Sequence, residues 1–274
     1  MKAKNKFSVL ISVYYKEKAD NLEKALYSIV NQSLMPNEIV LVEDGKLTEE
    51  LYSVITSYEK RYKSIFKIVK SPKNIGLGKA LNLGLKNCTN ECVARMDSDD
   101  YSLENRFEKE MSIILKNDLD VVGSLIDEYD EEMNCFISQR TVPENQDEIK
   151  KYAKKRNPIN HVSVIFRKSK VLEVGSYLDC PFFEDYYLWV RMLKNNCKFH
   201  NIQESLVKVR GGLDMINRRG GVGYIKSIVN FNKKVLKLGF INRWEYLKNI
   251  FIRIVVSLVP NFVRKMIYQK YLRK

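Results

Sequence analysis

Residues 7–13 form an almost unbroken apolar run rich in β-formers, Phe7-Ser8-Val9-Leu10-Ile11-Ser12-Val13, and read as a strand. Behind it the period changes. Leu22, Leu26, Ile29 and Val30 fall on one helical face, with Asp20 as a candidate cap. The alternation repeats. Residues 38–42 are a second short strand running into Glu43-Asp44-Gly45, and Leu51, Val54, Ile55 and Tyr58 mark a second helix. Residues 66–69 and 92–96 predict two more strands, and 78–86 and 103–115 two more helices. Strands alternating with helices of this length imply parallel pairing in an α/β fold with both sheet faces covered. Such sheets bind ligands at the carboxyl ends of their strands. Asp44 and the run Asp97-Ser98-Asp99-Asp100 both fall there.

That second run places three carboxylates within four residues at a strand tip. Two carboxylates one residue apart can ligate a hard divalent cation, which most often escorts a diphosphate. An acidic turn capping the next helix would show the same residues, because Asp is a common turn and N-cap residue. The motif by itself leaves both open.

With 274 residues, 45% of them hydrophobic, the chain can bury a sizeable core as one large or two small domains. The formal charge of +14 is unevenly placed. Residues 206–274 hold 16 Lys and Arg against only Asp214 and Glu245, while residues 1–205 carry 31 charges of each sign. The five cysteines, Cys88, Cys92, Cys135, Cys180 and Cys197, are odd in number and show no repeated Cys-x-x-Cys spacing, which predicts free thiols in a reducing compartment. The N-terminus shows no apolar signal-peptide core, so a cytoplasmic location is expected.

Five segments together carry a resemblance. Residues 7–14, Val42-Glu43-Asp44-Gly45, Asn74-Ile75-Gly76-Leu77-Gly78, Ala94-Arg95-Met96-Asp97-Ser98-Asp99-Asp100 and Glu184-Asp185 stand in the order and spacing of family 2 glycosyltransferases. The chain resembles that family over residues 5–210 and looks most like bacterial enzymes that extend lipid-linked O-antigen or capsule repeat units. The resemblance implies a GT-A fold, a Rossmann-like, mostly parallel central sheet flanked by helices. A catalytic domain would span residues 1–210, with a nucleotide-sugar-binding half at 1–100 and an acceptor-binding half at 101–210. It also implies sugar transfer with inversion.

On that resemblance Asp44 accepts the uracil imide hydrogen bond, and Val13 and Tyr14 lie against uracil and ribose. Tyr14 could equally be core. Asp99 ligates Mg²⁺ or Mn²⁺, and Asp97 contacts the ribose or the metal's surroundings. Arg95 adds positive charge near the diphosphate or forms a plain surface ion pair. Asn74, just ahead of Gly76 and Gly78, marks a loop where backbone approaches a ligand or turns tightly. Inversion needs a carboxylate to take the acceptor's proton, and Asp185 matches the family's base position, with Glu184 binding acceptor or sharing the role. Both acids could also simply favour the first turn of the helix carrying Leu188, Trp189 and Met192. His161 matches a place that lines the donor site, or is a satisfied buried histidine; His200 has no motif around it.

The region 211–274 mixes basic residues with Phe240, Ile241, Trp244, Leu247, Phe251, Val259, Phe262, Ile267, Tyr268 and Leu272, which predicts amphipathic helices on anionic inner-leaflet lipid. A solvated helical subdomain packed on the core would read the same way. The apolar stretch at 250–259 is too short to span a bilayer and contains Arg253. The expected protein is a metal-dependent, inverting hexosyltransferase peripheral to the inner membrane face. It would use a UDP-sugar and a polyprenyl-diphosphate-linked GlcNAc or GalNAc acceptor, leaving a β-linked hexose. Two other classes fit less well. A sugar nucleotidyltransferase would carry a glycine-rich basic loop where Val13-Tyr14-Tyr15-Lys16-Glu17 stands, and a nucleic-acid-binding protein would show a recognised motif.

Overall fold

A computed structural model describes residues 6–211 and 221–258. Four parallel strands open it: β1 (Phe7–Val13), β2 (Glu38–Asp44), β3 (Phe66–Ser71) and β4 (Cys92–Asp97), in the spatial order β3-β2-β1-β4. Their apolar residues serve two cores because successive strand side chains point to opposite faces. Phe7, Val9, Ile11 and Val13 pack with Leu22, Leu26 and Ile29 of α1 (Ala19–Val30) and Leu51 and Ile55 of α2 (Glu49–Arg61). Leu10, Val40 and Val42 meet Ala80, Leu81 and Leu85 of α3 (Leu77–Asn87) on the other face. A Cβ at Gly84 would overlap Leu10 and Val42, so the helix lies closer to the sheet there than alanine allows.

Two local expectations shift. Asp20 does not cap α1; Lys18 is the N-cap, with no side-chain cap, and Asp20 sits inside the first turn, where a carboxylate meets the positive end of the helix dipole. The helix expected from 103 begins at Arg106 as α4 (Arg106–Lys116), because Tyr101–Ser102 forms a two-residue strand, β5, against the last strand of the sheet.

The second half extends the same sheet with mixed directions. After β6 (Val121–Tyr129) and β7 (Phe136–Arg140) come α5 (Gln146–Tyr152), β8 (Val164–Arg167) and α6 (Lys168–Glu173). Then follow α7 (Glu184–Lys194) and β9 (Phe199–Arg210). β8 runs antiparallel between β4 and β6, β9 lies parallel to β6, and the order closes as β4-β8-β6-β9-β5. The reversal at β8 returns the end of β9 to the acidic turn. Arg210 donates its backbone N–H to Asp100 Oδ1 (2.8 Å) and its Nε–H to the Asp99 carbonyl (3.1 Å).

Two C-terminal helices, α8 (Gly221–Lys237) and α9 (Arg243–Leu258), complete the described chain. α8 packs on the core through Ile228, Phe231 and Val235, with the Phe231 ring stacked on Phe183 at 4.9 Å. Phe240 and Ile241, expected to face lipid, are instead buried in that cluster, because the turn after α8 folds back on it, with the Phe240 N–H bonded to the Val235 carbonyl. α9 differs. Trp244 is 82% exposed and Phe251 70%. No helix among the described residues is long and apolar enough to cross a membrane. Val259, Phe262, Ile267, Tyr268 and Leu272 of the amphipathic pattern lie outside the described residues.

Candidate active site

The carboxyl ends of β1, β2 and β4 lie side by side, with Val13 opposite Glu43 and Ser12 opposite Asp97 in the strand registers. This gathers Val13, Asp44 and Asp97 from three distant stretches of sequence. Asp44 is buried, and each of its oxygens accepts a backbone N–H from the following loop, Ile75 at 2.7 Å and Gly76 at 3.2 Å. Asn74, itself exposed, donates its side-chain amide to the Asp44 carbonyl (3.4 Å). Gly45 has a φ of +90°, and a Cβ there would stand 2.6 Å from the Asn74 backbone nitrogen, so only glycine lets this loop close over β2. Tyr14 is not core; it is 40% exposed and meets Tyr15 edge to face.

Asp97, Asp99 and Asp100 bring one carboxylate oxygen each to within 4.8 Å of one another. Their surroundings differ. Asp97 is ion-paired to Arg95 and the Asp100 carboxylate accepts the Arg210 backbone N–H, while among the described residues no side chain donates to the Asp99 carboxylate. Burial, with Asp97 and Glu17 next to it, pushes the Asp99 carboxyl up to about 7. Burial, then Asp99 and Asp97, raises Asp100 as well. Three carboxylates at this spacing, with Arg95 paired to Asp97 alone, match the oxygen preference of a hard divalent cation, which would relieve their mutual repulsion. Glu17 is drawn in by Ser98, whose hydroxyl donates to Glu17 Oε2 at 2.7 Å.

Arg95 is not on the surface. β4 alternation sends its side chain under the cluster, 2% exposed, and its Nε and Nη1 find no hydrogen-bond acceptor among the described residues. It lies between the acids and the facing wall, where Tyr177, His161 and Asp185 all feel its charge. His161 Nε2 and the Tyr177 hydroxyl are 2.9 Å apart. Burial, then Arg95, holds the imidazole well below its ordinary range, so His161 is a neutral hydrogen-bonding group rather than a cation. His200 lies away in β9.

The facing wall is the start of α7. Glu184 and Asp185 occupy its first turn, where the helix dipole favours negative charge. Both carboxyls are raised by burial. For Asp185 the backbone N–H of Tyr186 and then the Asn157 side chain oppose the rise, the latter through Nδ2–H to Oδ2 at 2.6 Å. Glu184 leans towards α3, its Cγ 3.3 Å from the position a Cβ on Gly78 would take. Phe182, just ahead, has a φ of +69° and is half exposed. A base here must be ionised to accept a proton, and the Asn157 hydrogen bond favours the ionised form. Asn157→Ala is therefore expected to move the acidic limb of the kcat/KM profile to higher pH, which a pH–rate series on both proteins would read.

This geometry, with carboxylates at the ends of β2 and β4 opposite an acid pair at a helix start, has relatives. Residues 8–174 match the family described as glycosyl transferase family 2. The chain is 42% identical over 270 residues to the amylovoran biosynthesis glycosyltransferase AmsE of Erwinia amylovora, covering 96% of this chain and 98% of that one. The chain belongs to glycosyl transferase family 2. A second relative is the UDP-Gal:alpha-D-GlcNAc-diphosphoundecaprenol beta-1,3-galactosyltransferase of Escherichia coli, 38% identical over 98% of this chain and 97% of that one. Among solved structures, S. aureus TarS 1–349 in complex with UDP-GlcNAc superposes with a TM-score of 0.64 at 19% identity, covering 97% of this chain and 71% of that one. The mannosyltransferase PcManGT of Pyrobaculum calidifontis, in complex with GDP-Man and Mn²⁺, gives 0.66 at 14% identity over 95% and 72%.

The protein is thus a GT-A-fold glycosyltransferase. The fold of this family 2 member brings Asp44, Asn74, Asp97 and Asp99 to one rim and Glu184 and Asp185 to the other. Sequence inspection assigns no role to four further groups at the site: Glu17, Asp100, Asn157 and Tyr177. Asp100 stands in the visible acidic run and could have been read as a third oxygen donor. The others lie in segments without a motif and become neighbours only through the sheet.

Proposed function

We propose that this glycosyltransferase moves a hexose from a UDP-sugar, with inversion, to a hydroxyl of a polyprenyl-diphosphate-linked GlcNAc or GalNAc in bacterial surface polysaccharide synthesis. The observation that carries the assignment is the Asp185 carboxylate, held at the start of α7 by Asn157 and facing the acidic end of β4 across Arg95. The relative that uses UDP-Gal and a GlcNAc-diphosphate lipid makes UDP-galactose the first donor to test.

In this scheme Asp44 accepts the uracil imide N–H. Each of its oxygens spends one lone pair on the 75–76 loop and retains another. Val13 and the half-exposed Tyr14 flank the base and ribose. Asp99, with Asp97 beside it and Asp100 behind, would hold Mn²⁺ or Mg²⁺, which when bound neutralises charge developing on the UDP leaving group. Arg95 pairs with Asp97 from below and adds positive charge beneath the acids near the diphosphate. His161, kept neutral and tied to Tyr177, offers a hydrogen bond to the sugar or a phosphate. Asp185 takes the acceptor hydroxyl proton as that oxygen attacks the anomeric carbon from the face opposite UDP, and Glu184 orients the acceptor. Asn157 orients Asp185 as a positioning residue. Transfer of labelled galactose from UDP-galactose to a synthetic GlcNAc-diphosphate lipid tests the assignment; release of pyrophosphate from a nucleoside triphosphate would instead favour nucleotidyl transfer.

The exposed face of α9 and the basic C-terminal quarter support peripheral attachment to anionic lipid at the inner membrane face. Trp244→Ala with Phe251→Ala is expected to weaken binding to phosphatidylglycerol vesicles about tenfold or more, since each ring loses apolar burial in the interface. Vesicle sedimentation checks this, and unchanged binding would remove α9 from the membrane.

A further inference from the structure

From the last turn of α5 to the residue before Asn157 runs a cationic stretch that the transfer scheme leaves unused. Residues 150–156 read Lys150-Lys151-Tyr152-Ala153-Lys154-Lys155-Arg156, five cations in seven positions with no acid among them. Lys150, Lys151, Lys155 and Arg156 are exposed, whereas Ala153 and Ile149 anchor the stretch in the core. The acids of α5, Asp147 and Glu148, occupy its opposite end. The next residue in the chain is Asn157, whose amide holds Asp185 at 2.6 Å.

The same stretch is clamped to α9. Lys154 pairs with Glu245 at 2.8 Å, Asn249 donates to the Lys154 carbonyl at 2.7 Å, and Arg253 donates to the Lys155 carbonyl at 2.8 Å. The Arg253 guanidinium also covers the rings of Phe183, Tyr186 and Phe231 beside the base. On its free side α9 shows Trp244, Leu247, Phe251 and Val255, spaced as one helical face and 45–82% exposed. Arg243 and Lys248, both exposed, lie on the same helix. A lone apolar helix face and a lone lysine cluster are each common on protein surfaces. Here backbone and side-chain bonds lock the two together, one residue from the group that fixes the base. A ligand matching all three parts is an anionic diphosphate with a long apolar chain on one side and a sugar on the other.

We propose that the 150–156 stretch and the exposed face of α9 form one binding surface for a polyprenyl diphosphate. Lys150, Lys151, Lys155 and Arg156 take the diphosphate charge, α9 rests against the isoprenoid chain at the bilayer surface, and the attached sugar reaches Asp185. The proposal rests on the lipid-linked acceptor assigned above and adds where its diphosphate sits. Lysines serve such a group as point charges, so several weak contacts replace one dedicated pocket. Because the cations are exposed, their substitution leaves the core untouched.

The test uses the full-length protein and its Lys150→Gln/Lys151→Gln/Lys155→Gln variant. Binding is measured to phosphatidylcholine vesicles doped with polyprenyl diphosphate and to vesicles matched in charge with phosphatidylglycerol. The wild type is expected to prefer the diphosphate vesicles about tenfold, and the variant to lose that preference while titrating UDP as the wild type does. Equal binding of the wild type to both vesicle types, meaning general attraction to anionic membrane, overturns the proposal, as does a variant that keeps the preference. A companion assay compares KM for a GlcNAc-diphosphate alkyl lipid with KM for the alkyl glycoside lacking phosphate. The variant should raise the first about tenfold and leave the second unchanged, and an equal rise in both overturns the proposal. A diphosphate preference lost in the variant, with no transfer to either GlcNAc acceptor, supports this surface and rejects the assigned acceptor sugar.

Discussion

Asp185→Asn is expected to lower kcat by about 10²–10⁴-fold while leaving the affinity for UDP within about twofold of wild type. The amide is nearly isosteric and can still meet the Asn157 side chain by turning its oxygen towards the Nδ2–H, so the start of α7 keeps its geometry. What it cannot do is accept a proton from the acceptor hydroxyl. Single-turnover transfer with saturating donor isolates that step, and isothermal titration with UDP reports the donor side separately. If UDP affinity collapses together with turnover, Asp185 is a structural residue of the α7 turn and the base lies elsewhere. Glu184→Gln serves as the internal comparison. Glu184 leans on Gly78 rather than on Asn157, so its loss should raise the KM for acceptor more than it lowers kcat.

Asp99→Ala is expected to abolish metal-dependent UDP binding and to cut kcat/KM by about 10³-fold, the scale of a lost cation at a leaving diphosphate. The same change relieves repulsion. Asp97, Asp99 and Asp100 bring carboxylate oxygens within 4.8 Å of one another, and burial, then Asp97 and Glu17, raises the Asp99 carboxyl. Removing one of the three should therefore leave thermal stability without metal unchanged or slightly higher, while wild type alone gains stability when Mn²⁺ and UDP are added together. Thermal melting with and without Mn²⁺ and UDP distinguishes this from unfolding. A variant that melts well below wild type in the absence of ligands would mean that Asp99 holds the acidic turn rather than a cation.

The first half of the fold was legible because its signals are local. In β1, α1, β2, α2, β3, α3 and β4 a run of β-formers or a stripe at helical spacing declares the element within a dozen residues, and a parallel sheet follows from their alternation. The acidic run at the end of β4 and the acid pair opening α7 were legible for the same reason, as was the family they point to. Boundaries were less so. Asp20 looked like a cap, but the chain enters α1 two residues earlier, where no side chain is needed to satisfy the turn.

Distance in sequence is what hid the rest. A strand's direction depends on where its neighbours lie, so the reversal of β8 between β4 and β6, and with it the tie from Arg210 back to Asp99 and Asp100, is a property of the closed sheet. Whether a charged residue is surface or interior is settled by the same packing. Arg95 reads as one cation beside three acids until strand alternation turns it under them, and Phe240 and Ile241 read as lipid-facing until the turn before α9 buries them. The chain by itself determined the family, the α/β alternation and the acidic residues, since each is written in contiguous residue types. Only the tertiary structure decided that Asn157 holds Asp185, that Tyr177 and His161 stand between the two rims, and that the basic stretch 150–156 is bonded to α9. Those pairings join residues 16 to 98 positions apart, and their free energy exists only once the sheet has brought them into contact.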